Sequence, residues 1–131
     1  MSRFMMRSRA RPLTLAVVAC IAAACASTGR GPVEPPARIV FTNESLDQAT
    51  VYVVAPGVEF RRIGTVIPGR TDTLRVPADM IARAGTVNIV ARLLARSEVP
   101  QTGAVSLRPG EMYAVRLTPD ARILSFLPAG Q

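Results

Sequence analysis

Apolar and polar residues alternate with a period of two through most of the chain after residue 37. The run 86–95 shows this most clearly, because apolar residues recur at every second position from Val87 to Leu93. Asn88 and Arg92 lie between them and fall on the other face. Such alternation is typical of a β-strand that buries one face and exposes the other.

Eight short runs rich in Val, Ile and Thr are separated by turn signals, and they span 38–43, 50–55, 59–67, 71–76, 86–95, 101–107, 111–118 and 121–127. This spacing predicts an all-β fold, a small antiparallel β-sandwich of seven to eight strands. Residues 77–84 (PADMIARA) are the exception. A proline near the start and Gly85 as a stop signal predict one short helical turn there.

Three Pro-Gly pairs mark tight turns between the runs: Pro56-Gly57, Pro68-Gly69 and Pro109-Gly110. Proline fixes φ for the second position of a turn and glycine accepts the positive φ of the third. We therefore expect type II turns at these pairs.

The third pair begins a longer motif, LRPGEMYAVRL at 107–117. It resembles the tyrosine-corner segment of fibronectin type III and immunoglobulin-like sandwiches. The resemblance implies that the Tyr113 hydroxyl bonds back to the backbone beside the turn. It also implies that Val115 and Leu117 point into the core.

The amino-terminal region follows a different pattern. Residues 13–26 form an uncharged stretch of 14 residues, preceded by four arginines and ending in small residues. A membrane-spanning helix needs about 20 apolar residues. The pattern instead predicts a secretory signal peptide at 1–24.

The end of this stretch, IAAAC at 21–25, resembles the lipobox of bacterial lipoproteins. The resemblance implies that Cys25 receives a diacylglyceryl group, that cleavage frees its amine, and that acyl chains such as palmitate anchor the protein. In the lipoproteins that this motif resembles, an aspartate directly after the cysteine signals retention in the inner membrane. Ala26 stands at that position, which implies the outer membrane, facing the periplasm. Three alternatives stay open: lipidation of Cys20, an uncleaved anchor, and ordinary cleavage after Ala24 or Ala26, which would release a soluble periplasmic or secreted protein.

Three segments follow from these patterns: the signal peptide 1–24, a lipid-anchored tether 25–36 and a β-sandwich domain 37–128. The tether contains STGRGPVEPP, whose composition favours an extended or flexible chain. The net charge of +7 belongs partly to the signal peptide. After residue 25 twelve arginines face nine acids, about +3, so charge gives little reason to expect a nucleic-acid partner.

Composition also limits the possible chemistry. The chain has no histidine and no lysine, and its two cysteines lie in the signal region. This excludes Ser-His and Cys-His nucleophiles, Schiff bases and ordinary zinc sites in the domain. Carboxylates remain, and Glu44 with Asp47 would be the best pair for a hydrolase. We expect them to serve a hairpin turn, and we expect no enzyme activity, cofactor or metal.

Binding surfaces are the remaining candidates. The domain has five aromatic residues, Phe41, Tyr52, Phe60, Tyr113 and Phe126, and most of them are expected in its core. Arg61 and Arg62 form a possible binding patch for anionic lipid or cell-wall polymer, although neighbours in a strand point to opposite faces. The leading hypothesis is a lipid-anchored, non-catalytic interaction or accessory module with an envelope protein partner. The alternative is a secreted module that binds carbohydrate or another envelope polymer.

Overall fold

The computed structural model describes residues 31–57 and 60–128. Its elements in chain order are β1 (Ala37–Asn43), β2 (Ala49–Val54), β3 (Arg61–Val66), β4 (Thr71–Val76), α1 (Ala78–Ala84), β5 (Val87–Leu93), β6 (Gln101–Val105), β7 (Met112–Leu117) and β8 (Leu124–Pro128). Each predicted run overlaps one strand, with bounds that differ by a few residues, and α1 lies where the helical turn is predicted. Within these ranges no helix is long and apolar enough to cross a membrane. The predicted signal peptide, Cys20 and Cys25 lie outside the described residues.

The strands form two four-stranded sheets, ordered β4-β1-β7-β8 and β3-β2-β5-β6. All described strand pairs are antiparallel except β1 with β7, which run parallel. The all-β sandwich is thus confirmed. The predicted hairpin around Glu44 and Asp47 is wrong, because β1 and β2 belong to different sheets and the segment between them crosses from one sheet to the other.

The core lies between the inner faces of the two sheets. Period-two alternation places Ile39 and Phe41 of β1 opposite Val51 and Val53 of β2, and all four side chains are fully buried. Deep burial of a branched or aromatic side chain contributes about 1.5–3 kcal/mol each. A core of this aliphatic content is enough for a domain of this size to fold on one core.

The short helix α1 closes one end of the sandwich. Met80 and Ile81 are its buried residues and belong to the core cluster. Asp79 lies in its first turn and Arg83 in its last, which suits the helix dipole at both ends. The helix ends at Gly85, whose N–H bonds to the carbonyl of Ile81 at 3.1 Å.

Tyr113 forms the predicted corner. Its hydroxyl accepts a hydrogen bond from the backbone N–H of Arg108 (2.9 Å) and donates one to Glu111 Oε2 (2.6 Å). Val115 and Leu117 lie on the same strand, and their side chains are buried in the core. Burial raises the pKa of the Tyr113 hydroxyl, and the hydrogen bond to Glu111 raises it further. In the turn before it, Gly110 has a φ of 79° and its neighbour Glu111 donates to the carbonyl of Arg108.

Candidate functional site

Four connections lie together at the end of the sandwich away from α1. We name them the loop end, and they comprise residues 44–48, 67–70, 94–100 and 118–123. Each presents an exposed aliphatic side chain: Leu46, Ile67, Leu94 and Ile123. Leu46 and Leu94 are 85% and 79% exposed. Large apolar side chains grouped on one surface are typical of an interaction site.

Asn43, the last residue of β1, holds the first loop, residues 44–48, through its side-chain hydrogen bonds. Its amide nitrogen donates to the carbonyls of Asp47 (2.8 Å) and Val66 (2.9 Å), and its side-chain oxygen accepts from the backbone N–H (3.1 Å) and the hydroxyl (2.7 Å) of Ser45. Asn43 and Ser45 are both fully buried. Because a buried polar group needs partners, this network permits few other conformations of the loop.

Two arginines connect the loops at the surface. Arg96 donates to Asp47 (2.6 Å) and to the carbonyl of Asp120 (2.8 Å), so it joins three of the four loops. Arg116 donates to Glu44 at 2.6 Å, and this contact raises the pKa of the guanidinium. Exposed ion pairs add little stability. These two ion pairs instead orient the loops. Glu44 neutralises Arg116, and Asp47 neutralises Arg96.

The fourth loop contains a strained residue. Ala121 is fully buried and has a φ of 59°, a left-handed conformation that costs a non-glycine residue about 1–2 kcal/mol. Asp120 stabilises the turn beside it by accepting hydrogen bonds from the Thr118 hydroxyl and the Arg122 N–H, and these contacts lower the pKa of its carboxyl. The loop is thus held in one conformation by its surroundings.

The structure places Arg61 and Arg62 on opposite sides of β3, an edge strand. Arg61 forms a two-pronged ion pair with Asp79 of α1 (3.1 and 3.2 Å). Arg62 lies opposite Tyr52 on the outer face and donates to the Thr65 hydroxyl at 2.7 Å. The two do not form one basic patch, and whether either binds a ligand stays a prediction.

An aromatic groove lies on the outer face of the β3-β2-β5-β6 sheet. Its volume is about 300 Å³ and it is lined by Tyr52, Phe60, Val90, Arg92 and Val99. The rings of Tyr52 and Phe60 meet edge to face, with centroids 6.4 Å apart and planes at 81°. Phe60 is 65% exposed, whereas Val90 at the base is only 4% exposed although its strand turns it away from the core.

The expectation that most aromatic residues lie in the core holds for three of the five, and Tyr52 and Phe60 lie on the outer face instead. Phe41 and Tyr113 are buried in the core, and Phe126 stacks on Tyr113 at 5.2 Å. The signal was present in the alternation, because Tyr52 shares its face of β2 with the polar Thr50. Val90 likewise interrupts the polar face between Asn88 and Arg92.

In the part of the chain that the structure describes, no three or more His, Cys, Asp or Glu side chains gather where they would hold a metal ion. The best carboxylate pair of the sequence, Glu44 and Asp47, is engaged with two different arginines. Both carboxylates therefore serve as ion-pair partners that orient the loops. Among the described residues, the loop end and the aromatic groove are two surfaces that expose large apolar side chains, a feature of binding sites.

No protein family matches this chain. No curated protein matches it either. Among solved structures, it is similar to the NMR structure of a protein from Eubacterium rectale, with 15% identity, 79% of this chain and 96% of that chain covered, and a TM-score of 0.45. Similarity at this level carries no information about function, which has to be argued from the surfaces themselves.

Proposed function

We propose that this chain is a non-catalytic interaction module of the bacterial envelope, anchored by lipid at Cys25, and that its loop end contacts a protein partner. The observation that carries the proposal is the loop end itself. Four exposed aliphatic side chains are presented there on loops that Asn43 and Arg96 hold in place. A preorganised surface of this kind loses little conformational entropy when it binds.

The position of the loop end fits an anchored protein. The chain enters β1 at Ala37, and the loop end begins beyond Asn43 at the other end of that strand. Seven residues of strand span roughly 23 Å. The chain that leads from the proposed anchor thus joins the sandwich at the end opposite the loop end, which leaves the loop end free of that attachment.

The charges of the loop end favour a protein over a polyanion or an anionic membrane. The four loops contain four acids (Glu44, Asp47, Glu98 and Asp120) and three arginines (Arg70, Arg96 and Arg122), so the loop end has no excess of positive charge. Apolar side chains beside charges of both signs resemble a protein interface, which has an apolar centre and a polar rim. Anionic surfaces instead attract clusters of unpaired Lys and Arg.

Co-purification tests the proposal. Leu46→Ser with Leu94→Ser removes the two most exposed apolar side chains of the loop end, and both are surface positions, so the domain should stay folded. Leu127→Ser is the matched control, because Leu127 is also exposed but lies on β8. We expect a partner that co-purifies with the wild type and the control and is reduced at least tenfold with the double variant. Equal recovery with all three proteins would refute a role for the loop end.

The anchor has its own test. The sequence that supports it is the apolar stretch ending in IAAAC at 21–25. The intact mass of the protein from a membrane fraction should equal Cys25–Gln131 plus acyl groups, and Cys25→Ser should release an unmodified protein. Two or more acyl chains are needed for stable anchoring. An unmodified wild-type chain that begins at Cys25 or Ser27 would contradict lipidation and favour the soluble alternative.

A further inference from the structure

The aromatic groove has a composition that the fold does not require. The outer face of an antiparallel sheet is normally polar where it meets water. Here Tyr52 and Phe60 form an aromatic corner above Val90, and the corner is bordered by guanidinium groups. On one side, Tyr52 pairs with Arg62 of β3. On the other side, it pairs with Val90 of β5, and Arg92 follows Val90 by two residues on that strand.

We infer that this groove binds a sugar ring that carries a carboxylate, as part of an anionic polysaccharide. The apolar face of a sugar ring packs against an aromatic side chain, and Phe60 offers a largely exposed ring for it. A carboxylate on the same sugar accepts paired hydrogen bonds from a guanidinium, for which Arg92 in the lining is placed. A volume of about 300 Å³ is at the small end of ligand sites and suits one or two sugar rings.

The same features count against other ligands. Single-stranded nucleic acid needs a basic track along several phosphates, and this groove has one arginine in its lining and a second beside it. A peptide that extends a sheet needs a free edge, whereas Tyr52 and Val90 lie on the central strands β2 and β5. Among the described residues the lining contains arginine and no acid, so the charge of that part complements an anionic sugar.

The groove shares Val99 with the loop end, but the residues varied in its test lie outside the loop end, so the two tests are separate. We would titrate the full-length protein, in detergent micelles, with a hexamer of galacturonic acid and with maltohexaose as the neutral probe, using calorimetry. Phe60→Ala and Arg92→Gln alter the groove. Leu127→Ala and Arg75→Gln are matched controls, because both are exposed residues of the other sheet.

We expect the galacturonate hexamer to bind at least tenfold more tightly than maltohexaose. Each groove variant should weaken binding by about five- to tenfold, as expected for one aromatic contact or one charge-assisted pair, while the controls change it less than twofold. Circular dichroism confirms that each variant is folded, and Phe60→Leu replaces Phe60→Ala if that variant is not.

Three results would overturn the inference: no binding of the galacturonate hexamer, equal binding of the neutral hexamer, or binding that neither groove variant changes. A single-stranded oligonucleotide or a proline-rich peptide that binds more tightly, with the same dependence on Phe60 and Arg92, would also overturn the assignment to a sugar. None of these results bears on the loop-end variants, so the two proposals can fail independently.

Discussion

Replacing Asn43 by alanine should be the most damaging single polar substitution in the domain. The side chain is fully buried and takes part in four hydrogen bonds: two to backbone carbonyls and two from Ser45. Alanine removes all four and leaves the carbonyl of Val66 and the N–H of Ser45 without these partners. Truncation of a buried network leaves unsatisfied groups, which is costly in a medium of low dielectric constant.

The expected size follows from the bonds. Each hydrogen bond contributes about 1 kcal/mol net. The Ser45 hydroxyl keeps one alternative acceptor, the carbonyl of Asp47 at 3.1 Å, so not every bond is lost outright. We therefore expect Asn43→Ala to lower the free energy of unfolding by about 3–4 kcal/mol. Typical domains have only about 5–15 kcal/mol in total.

Urea denaturation followed by circular dichroism measures this change, since the chain has no tryptophan. Asn88→Ala is the control. Asn88 also forms a side-chain network, to Gln101 and the N–H of Gly103, but it lies near the surface where water replaces lost bonds, so we expect about 1 kcal/mol or less. Amide exchange at Ser45 should also speed up in Asn43→Ala. A loss below about 1.5 kcal/mol, or equal losses in the two variants, would refute the reasoning.

Three further predictions follow. Tyr113→Phe removes the hydroxyl that accepts the N–H of Arg108 and should cost about 1–2 kcal/mol in urea denaturation. Because the folded state raises the pKa of Tyr113 above its ordinary value of 10.0, its stabilisation is complete below pH 10 and is lost as the pH rises through the folded pKa. The slope of stability against pH in that window should be smaller in Tyr113→Phe, and an unchanged slope would contradict this. Asp120→Asn tests a pKa shift in the opposite direction. Its carboxyl pKa is lowered from 3.8, so the stabilisation is present above that pH and is lost as the pH falls through the folded pKa. Acid titration of the variant should show less of this loss, and an identical acid profile would refute it. Gly64→Ala places a Cβ 2.5 Å from a methyl of the buried Leu74, which should cost about 1–3 kcal/mol by overpacking. Combining it with Leu74→Ala should give a smaller loss than the sum of the two single variants, and strict additivity would argue against the clash.

The strands were predictable because their residues follow one simple rule. Alternation in β5 and β7 reflects burial of one face, which the sequence displays directly. The corner at Tyr113 was predictable for a similar reason, because a local turn and a local hydrogen bond determine it. The order of strands was not, since it depends on contacts between distant parts of the chain. The parallel pairing of β1 with β7 is one example.

The candidate surfaces show the same limit. Arg61 and Arg62 stand out in the sequence as adjacent charges, but the tertiary structure pairs Arg61 with Asp79 of α1, whereas Arg62 bonds to Thr65 of its own strand. The loop end was not predicted at all. Its exposed aliphatic residues are far apart in the sequence, and each one alone is an ordinary surface residue. Only the common end of the sandwich brings Leu46 and Leu94 onto one surface.

The central claim is that the loop end contacts a protein in the envelope, and photo-crosslinking in living cells tests it most directly. A photo-reactive amino acid would replace Leu94 at the loop end and, in a control strain, the exposed Leu127 of β8. The account predicts a discrete protein adduct from position 94 and none from position 127. No adduct from position 94, or the same adducts from both positions, would contradict it.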